Sequence, residues 1–509
     1  MREEDVKTLE DMARLAAEEY GDKAYLREKD GEGFKDESFG KFYEDALKVS
    51  SFLKQNCGND TVHAGIIGSS SIGYLTCLFG TALGGNVAVL IDPQLSVEEV
   101  ADNLNRADTT VFFYDAKFKR MLEKLKELCP DIKTYVCMNG KDSELPGLLQ
   151  KYEKAGSSQP AASQCACILY TSGTTGKSKG VMLSHGNLVD NAFCCDGEAT
   201  SKDVMMSVLP VHHAYCLTCD FLLALKYGVT LCINDSLLHM AQNFKVFKPT
   251  MLLMVPMIVE TIYRKIMAVK KEKPLLPMFL IKRAVFGKQL KCIYCGGAYL
   301  SPDLTKAYKK MGIPLLQGYG MTECSPRITS ASLREPTTGN EVGHIVKRCE
   351  VKVVDGEIWA KSPSVMLGYY KNEEATKEIL TQDGYLKTGD LGYVEGNRVF
   401  LTGRKKNLII LSNGENVSPE ELENKFANLE WLQEILVYSE DEQITAEVYP
   451  FPEFKDRAEE LFKKKVAEVN KTVPAAKRIL RLRLRDTEFE KTTSRKVKRI
   501  QPGPKGRLI

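Results

Sequence analysis

Between residues 62 and 128, short strand-like runs alternate with helical ones, and this alternation limits the chain to few folds. Residues 62–67, 87–91 and 111–114 are apolar and of strand length. The intervening residues 72–83, 96–106 and 118–128 carry helical spacing. Such alternation builds a largely parallel sheet covered by helices. A second pass of the rhythm runs from residue 204 to about residue 316. From 342 to 370 the pattern shortens to strands and turns, which predicts a small β-rich subdomain. Upstream, Phe39, Phe42, Tyr43, Ala46 and Leu47 share one helical face, so residues 39–53 are expected to be a helix.

The rhythm changes near Gly403. Residues 399–402 read as a strand and 403–407 as a charged connector. Residues 408–411, the turn Ser412-Asn413-Gly414 and residues 415–417 then give a hairpin signal. Ser418 has the character of an N-cap, Pro419 suits the first helical position and Glu421 would complete a capping box, with the helix running to about Ala427. The expectation is an α/β protein. A large N-terminal α/β domain with a β-rich subdomain would span residues 1–402, and a small α+β domain residues 403–509.

Composition narrows the surroundings. A net charge of +3 over 509 residues does not call for a nucleic-acid or membrane partner. Fifteen scattered cysteines, one CxxC at Cys292/Cys295 and no second pair at zinc spacing read as reduced, buried thiols. The start of the chain is acidic and polar, unlike a signal peptide, and no apolar run approaches the ~18 residues of a membrane span. No transmembrane segment and a cytoplasmic protein are therefore expected.

The segment of greatest chemical content follows the buried run 166–170. It reads Tyr170-Thr171-Ser172-Gly173-Thr174-Thr175-Gly176-Lys177-Ser178-Lys179-Gly180, and leads into residues 181–185. Glycines allow a sharp turn that exposes backbone N–H groups, hydroxyls add donors and lysines add charge, all suited to a polyphosphate. Gly176-Lys177-Ser178 matches the end of a Walker A loop, but the first glycine of that motif would fall on Thr171, so its spacing fails.

Further segments come in order. They are Gly296-Gly297-Ala298, then Gln317-Gly318-Tyr319-Gly320-Met321-Thr322-Glu323, then Tyr385-Leu386-Lys387-Thr388-Gly389-Asp390, then Arg404. Last comes Lys491-Thr492-Thr493-Ser494-Arg495-Lys496-Val497-Lys498-Arg499, inside a stretch (477–507) with twelve Lys/Arg against three acids. This series resembles the adenylate-forming superfamily, which includes acyl-CoA synthetases, aryl-CoA ligases, peptide-synthetase adenylation domains and luciferases. Three positions depart from the family pattern: Ser178 and Glu490 stand where proline is usual, and Arg495 where glycine is.

The resemblance implies roles. Thr171, Ser172, Gly173, Thr174, Thr175, Gly176 and Lys179 would cradle the β- and γ-phosphates of ATP. Gly297 and Ala298 would line the adenine and acyl pockets. Tyr319 would stack on adenine, Thr322 would bond the α-phosphate and Glu323 would hold Mg²⁺, a cation that prefers oxygen ligands. Asp390 and Arg404 would contact ribose. Lys496 would be the catalytic lysine, His213 would border the acyl pocket, and the hairpin bearing Gly414 would admit the pantetheine arm of coenzyme A. Lys406 matches the hinge about which the family's mobile C-terminal domain swings. Tyr215 falls where amino-acid-activating relatives carry Asp, which disfavours an amino-acid substrate.

The implied activity is ATP-dependent activation of a small-molecule carboxylic acid to acyl-AMP, then transfer to coenzyme A with release of AMP and pyrophosphate. The apolar residues 221–225 and the Met-rich residues 251–257 suit a fatty acid. An aryl-CoA ligase and a ligase loading an acyl- or peptidyl-carrier protein are the alternatives within the class. A non-catalytic nucleotide- or acyl-binding relative is the alternative outside it, and the presence of Glu323, Asp390, Arg404 and Lys496 weighs against it.

Overall fold

The computed structural model describes residues 1–57, 61–154, 158–171, 178–411, 416–491, 497–499, 501 and 505–509. The alternating run folds as its spacing predicts. Strands His63–Ile67, Val87–Ile91 and Val111–Tyr114 pair in parallel. Helices Ile72–Leu83 and Val97–Arg106 connect them. Ser96 caps the second helix: its hydroxyl accepts from Glu99 N while the Glu99 carboxylate accepts from Ser96 N, so both ends of a capping box are closed. Among the described residues this sheet has seven strands. Its far side adds Cys165–Thr171 in parallel, then Lys179–Ser184 antiparallel to it, then the short Gly368–Tyr369 at the edge.

The second pass forms the parallel centre of a larger sheet, thirteen strands among the described residues. Thr230–Ile233, Val204–Ser207, Met251–Met254, Cys292–Cys295 and Leu315–Gly320 lie side by side in that order. Beyond Leu315–Gly320 every pairing turns antiparallel, through Arg327–Ser330 and Glu341–Ile345 to Arg398–Arg404, Leu386–Glu395, Glu357–Lys361 and Glu350–Val354. This is the expected β-rich region, joined to the parallel sheet rather than separate from it.

The C-terminal residues form a body with its own core of Leu422, Phe426, Trp431, Val448, Phe462 and Val466, under a sheet of four strands among the described residues. Two local expectations need correction. The helix after Ser418 is regular only over Pro419–Asn424, and i+3 bonds at Phe426 and Ala427 tighten the next turn. Its capping box is half made. Ser418 Oγ accepts from Glu421 N, but the Glu421 carboxylate is drawn 2.7 Å from Lys477 Nζ instead. Likewise residues 118–128 begin as a 3-10 turn (Ala116–Met121) before the helix Leu122–Leu128. The hairpin strands Ile409–Ile410 and Asn416–Val417 pair as expected, while the turn between them lies outside the described residues. Among the described residues no helix is long and apolar enough to cross a membrane.

Candidate active site

A cavity of about 1690 Å³ opens just past the carboxyl ends of the parallel strands of both sheets. Its wall takes Asp92 after Val87–Ile91, Thr171 at the end of Cys165–Thr171, Val255 after Met251–Met254 and Gly296 after Cys292–Cys295. Open α/β sheets place ligand sites at this edge, because diverging loops leave a crevice there. Thr171, Lys179, His213, Gly297, Tyr319, Thr322, Glu323, Arg404 and Lys406 all reach this one cavity. Ala298 does not line it and is exposed. Ser172, Gly173, Thr174, Thr175, Gly176, Gly414 and Lys496 lie outside the described residues.

The flanks of the candidate phosphate loop are tied to the C-terminal turn of the helix Val97–Arg106. Tyr170 Oη donates to Asn103 O at 2.6 Å, and the Arg106 guanidinium lies 5.2 Å from the Tyr170 ring centre. On the other flank Ser178 Oγ donates to Asn103 Oδ1 at 2.6 Å, while Arg106 donates to Ser178 O at 2.7 Å and to Ser178 Oγ at 2.8 Å. Serine thus supplies by hydrogen bonding a restraint that proline would supply through its ring. Thr171 pairs directly with Lys179, closing the base of the loop.

From Lys179 a short line of contacts crosses the cavity. Its ammonium sits 4.9 Å from the centre of the Tyr369 ring, and Tyr369 Oη donates to Glu323 Oε1 at 2.7 Å. Burial, reinforced by the Glu323 charge, pushes the Tyr369 hydroxyl far above its usual range, so it stays a donor. Glu323 is buried, and its Oε2 has no partner among the described residues. One carboxylate oxygen beside a phosphate cradle suits Mg²⁺, which is commonly held by one or two carboxylates plus substrate phosphates. Among the described residues no cluster of three or more metal-ligating side chains exists, so a cation here would draw its remaining ligands from phosphate and water. Sequence reasoning missed Tyr369. Its signal is the edge strand Gly368–Tyr369, which pairs with the strand leaving the loop, and that pairing is a long-range event.

The ribose candidates meet each other. Asp390 Oδ1 lies 2.7 Å from Arg404 Nε, and Asp390 Oδ2 accepts from Tyr319 Oη at 2.7 Å. Strand pairing fixes this, since Asp390 and Arg404 are register partners. Burial opposes the Arg404 charge, but Asp390 and Tyr319 more than offset it, so its affinity for the proton rises. Lys406 is pushed down by burial and then by Arg404. Gly296 and Gly297 are required by the backbone. A Cβ on Gly296 would stand 2.9 Å from Gly318 O, and Gly297 has φ +85°.

On the acyl side His212 is buried with its Nε2 3.7 Å from Asp92 Oδ1, too long for a hydrogen bond, and burial holds it well below the usual histidine range. His213 precedes the short helix Ala214–Cys216 without capping it through its side chain, and its ring centre lies 4.3 Å from that of His212. All fifteen cysteines are unpaired, as expected, but Cys195 is not an inert core thiol. It lines the cavity and accepts from Arg327 Nη1 at 2.8 Å. A hydrogen bond from Cys194, opposed by burial and aided by the buried Arg327 charge, holds its thiol well below the usual range.

A family model described as AMP-binding enzyme matches residues 13–370, and one described as AMP-binding enzyme C-terminal domain matches residues 406–502. Long chain acyl-CoA synthetase 7, peroxisomal, of Arabidopsis thaliana is 29% identical over 418 residues, 70% of this chain and 59% of that protein. The match thus spans little more than half of that relative. Long chain acyl-CoA synthetase 6, peroxisomal, of the same plant is 28% identical over 512 residues, 86% of this chain and 72% of that protein. Among solved structures, the anthranilate CoA ligase AuaEII in complex with anthranoyl-AMP superposes with a TM-score of 0.85 at 20% identity, covering 98% of this chain and 97% of that one. At that identity the likeness shows the fold.

Proposed function

Because the chain belongs to the AMP-binding enzyme family, we propose that it activates a carboxylic acid, a fatty acid, with ATP to acyl-AMP and then transfers the acyl group to coenzyme A. The observation that carries this is the line Lys179–Tyr369–Glu323, set in the same cavity as Tyr319 and Arg404, which together hold Asp390. Phosphate, metal, adenine and ribose partners then stand together, as an adenylating site requires.

In the first half-reaction the acid carboxylate attacks the α-phosphorus and pyrophosphate leaves. Residues 171–176 and Lys179 hold the β- and γ-phosphates, Thr322 the α-phosphate, and Asp390 with Arg404 the ribose. Tyr319 packs on adenine beside Gly297. Glu323 would hold Mg²⁺, which when bound would neutralise phosphate charge. Lys496 offsets the charge that builds as the carboxylate attacks, an interaction strongest in the transition state. His213 borders the acyl group, whose surroundings include Leu209, Val255 and Ile258.

In the second half the thiol of coenzyme A attacks the mixed anhydride and AMP leaves. The small body, residues 403–509, turns about Lys406 against residues 1–402. Lys496 then withdraws and the hairpin bearing Gly414 takes its place, leaving room for pantetheine. Fifteen unpaired thiols support a reducing compartment, the cytoplasm.

Acid-dependent ATP–pyrophosphate exchange tests the reading. A panel of fatty, aryl and amino acids, with and without coenzyme A, should give exchange with fatty acids and thioester only when coenzyme A is added. Exchange with none of the acids means the enzyme reading is wrong.

A further inference from the structure

The net charge of +3 hides a local imbalance. Residues 265–288 hold seven Lys/Arg against the single acid Glu272. They span the second half of the helix Pro256–Glu272, a turn, and the helix Met278–Phe286. Inside this basic surround the chain presents bare apolar side chains. Leu275 is 96% exposed and Phe279 64%, with Met267, Val269 and Leu280 also exposed. Leu276 and Met278 pack inward, so the turn is anchored rather than loose. Lys270 Nζ fastens it by donating to Pro274 O at 2.6 Å and Leu276 O at 2.8 Å, which leaves Leu275 at the tip.

Bare apolar side chains gathered in one short stretch of basic sequence mark an interaction site. The charge selects the partner. Lys271 pairs with Glu430, but Lys265, Lys273, Arg283 and Lys288 have no acidic partner among the described residues. Apolar tips that reach a hydrocarbon boundary, beneath lysines at the level of anionic headgroups, are the chemistry of an interfacial anchor. The same helix connects this patch to the cavity. Its first turn supplies Met257 and Ile258 to the cavity wall, and at 1.5 Å per residue its last turn lies roughly 22 Å away. Leu237 also lines the cavity, and its neighbour Leu238 is 92% exposed.

We propose that residues 265–288 dock the protein on the surface of an anionic lipid bilayer, with Leu275 and Phe279 entering the headgroup boundary. This surface lets an apolar ligand reach the cavity from a membrane instead of from water. It is independent of the proposed activity, since docking needs neither ATP nor acid.

Co-sedimentation of the full chain with vesicles tests it, using phosphatidylcholine alone and phosphatidylcholine mixed with phosphatidylglycerol. The wild type should bind the mixed vesicles about tenfold more tightly, and added salt should weaken this binding. Leu275→Glu/Phe279→Glu and Lys265→Glu/Lys273→Glu should each lower it about tenfold. All four positions are exposed, and unchanged thermal melting would verify folding. Equal or absent wild-type binding to the two vesicles overturns the proposal, as does wild-type binding by either double variant. Self-association that disappears in Leu275→Glu/Phe279→Glu would assign the patch to a second copy and overturn it too.

Discussion

The two lysine-bearing segments of the proposed site are anchored in contrasting ways. The phosphate loop enters and leaves through Tyr170 and Ser178, both bonded to Asn103 or Arg106 on a helix of the main body. Among the described residues, those flanking the Lys496 segment pair only within the small body. Lys491 pairs with Glu434 and Glu488, and Arg499 with Glu420 and Glu423. Burial pushes Glu423 up to about 7, and the neighbouring Arg499 only partly offsets this. Contacts between the bodies include Asn428 Nδ2 to Ser301 Oγ, Lys271 to Glu430, Lys405 to Glu357 and the Arg264 guanidinium over the Phe451 ring. Half of the proposed site is built into a sheet edge, and the other half belongs to the small body that the proposed mechanism turns. Surface ion pairs of about 0–1 kcal/mol each do not lock such a joint.

Variants on the fixed half sharpen this contrast. Glu323→Gln should have the largest effect there, lowering acid-dependent exchange about 10²–10³-fold, the usual cost of losing one charge-stabilising group. Melting temperature and exchange rate measured together separate this from misfolding. Tyr369→Phe keeps the ring beneath Lys179 but removes a hydrogen bond to a charged acceptor, worth about 1.5–3 kcal/mol. The Mg²⁺ concentration for half-maximal exchange should rise about tenfold, and no change would detach Tyr369 from the metal site. Ser178→Ala should raise the KM for ATP about fivefold, in line with about 1 kcal/mol for a lost hydrogen bond. Asn103→Ala should add little on top, because both act on one network.

The smallest expected effect concerns the buried interior of the main body. Asp220 is fully buried, and burial raises its carboxyl to about 7 from an ordinary 3.8. The folded state therefore holds a proton that the unfolded state releases, and stability falls as pH rises from about 4 to about 7. Asp220→Asn removes that penalty, so its melting temperature relative to wild type should climb by about 2–4 °C between acid and neutral pH. A pH-independent difference would mean Asp220 is ionised in the fold.

Much of this was legible in the sequence, for physical reasons. The strands at 87–91 and 111–114 and the helix at 72–83 fall at their expected bounds, because periodicity and caps are local. Glu323, Asp390 and Arg404 stood out because their motifs are contiguous. The features that escaped depend on pairing across long stretches. Tyr369 reaches Glu323 only through an edge strand, and Ser178 is tied by Asn103, 75 residues away. The capping box at Ser418 failed through competition, since Glu421 has a stronger partner in Lys477. The basic surround at 265–288 was invisible to a net charge summed over the whole chain.

The division of labour between the two halves is tested most directly with Lys496→Ala, assayed separately in each half-reaction. Formation of acyl-AMP from ATP and acid should fall about 10²–10³-fold. Thioester formation from supplied acyl-AMP and coenzyme A should stay close to wild type, because Lys496 has by then withdrawn. Equal loss in both halves would contradict a lysine carried in and out of the site by the small body.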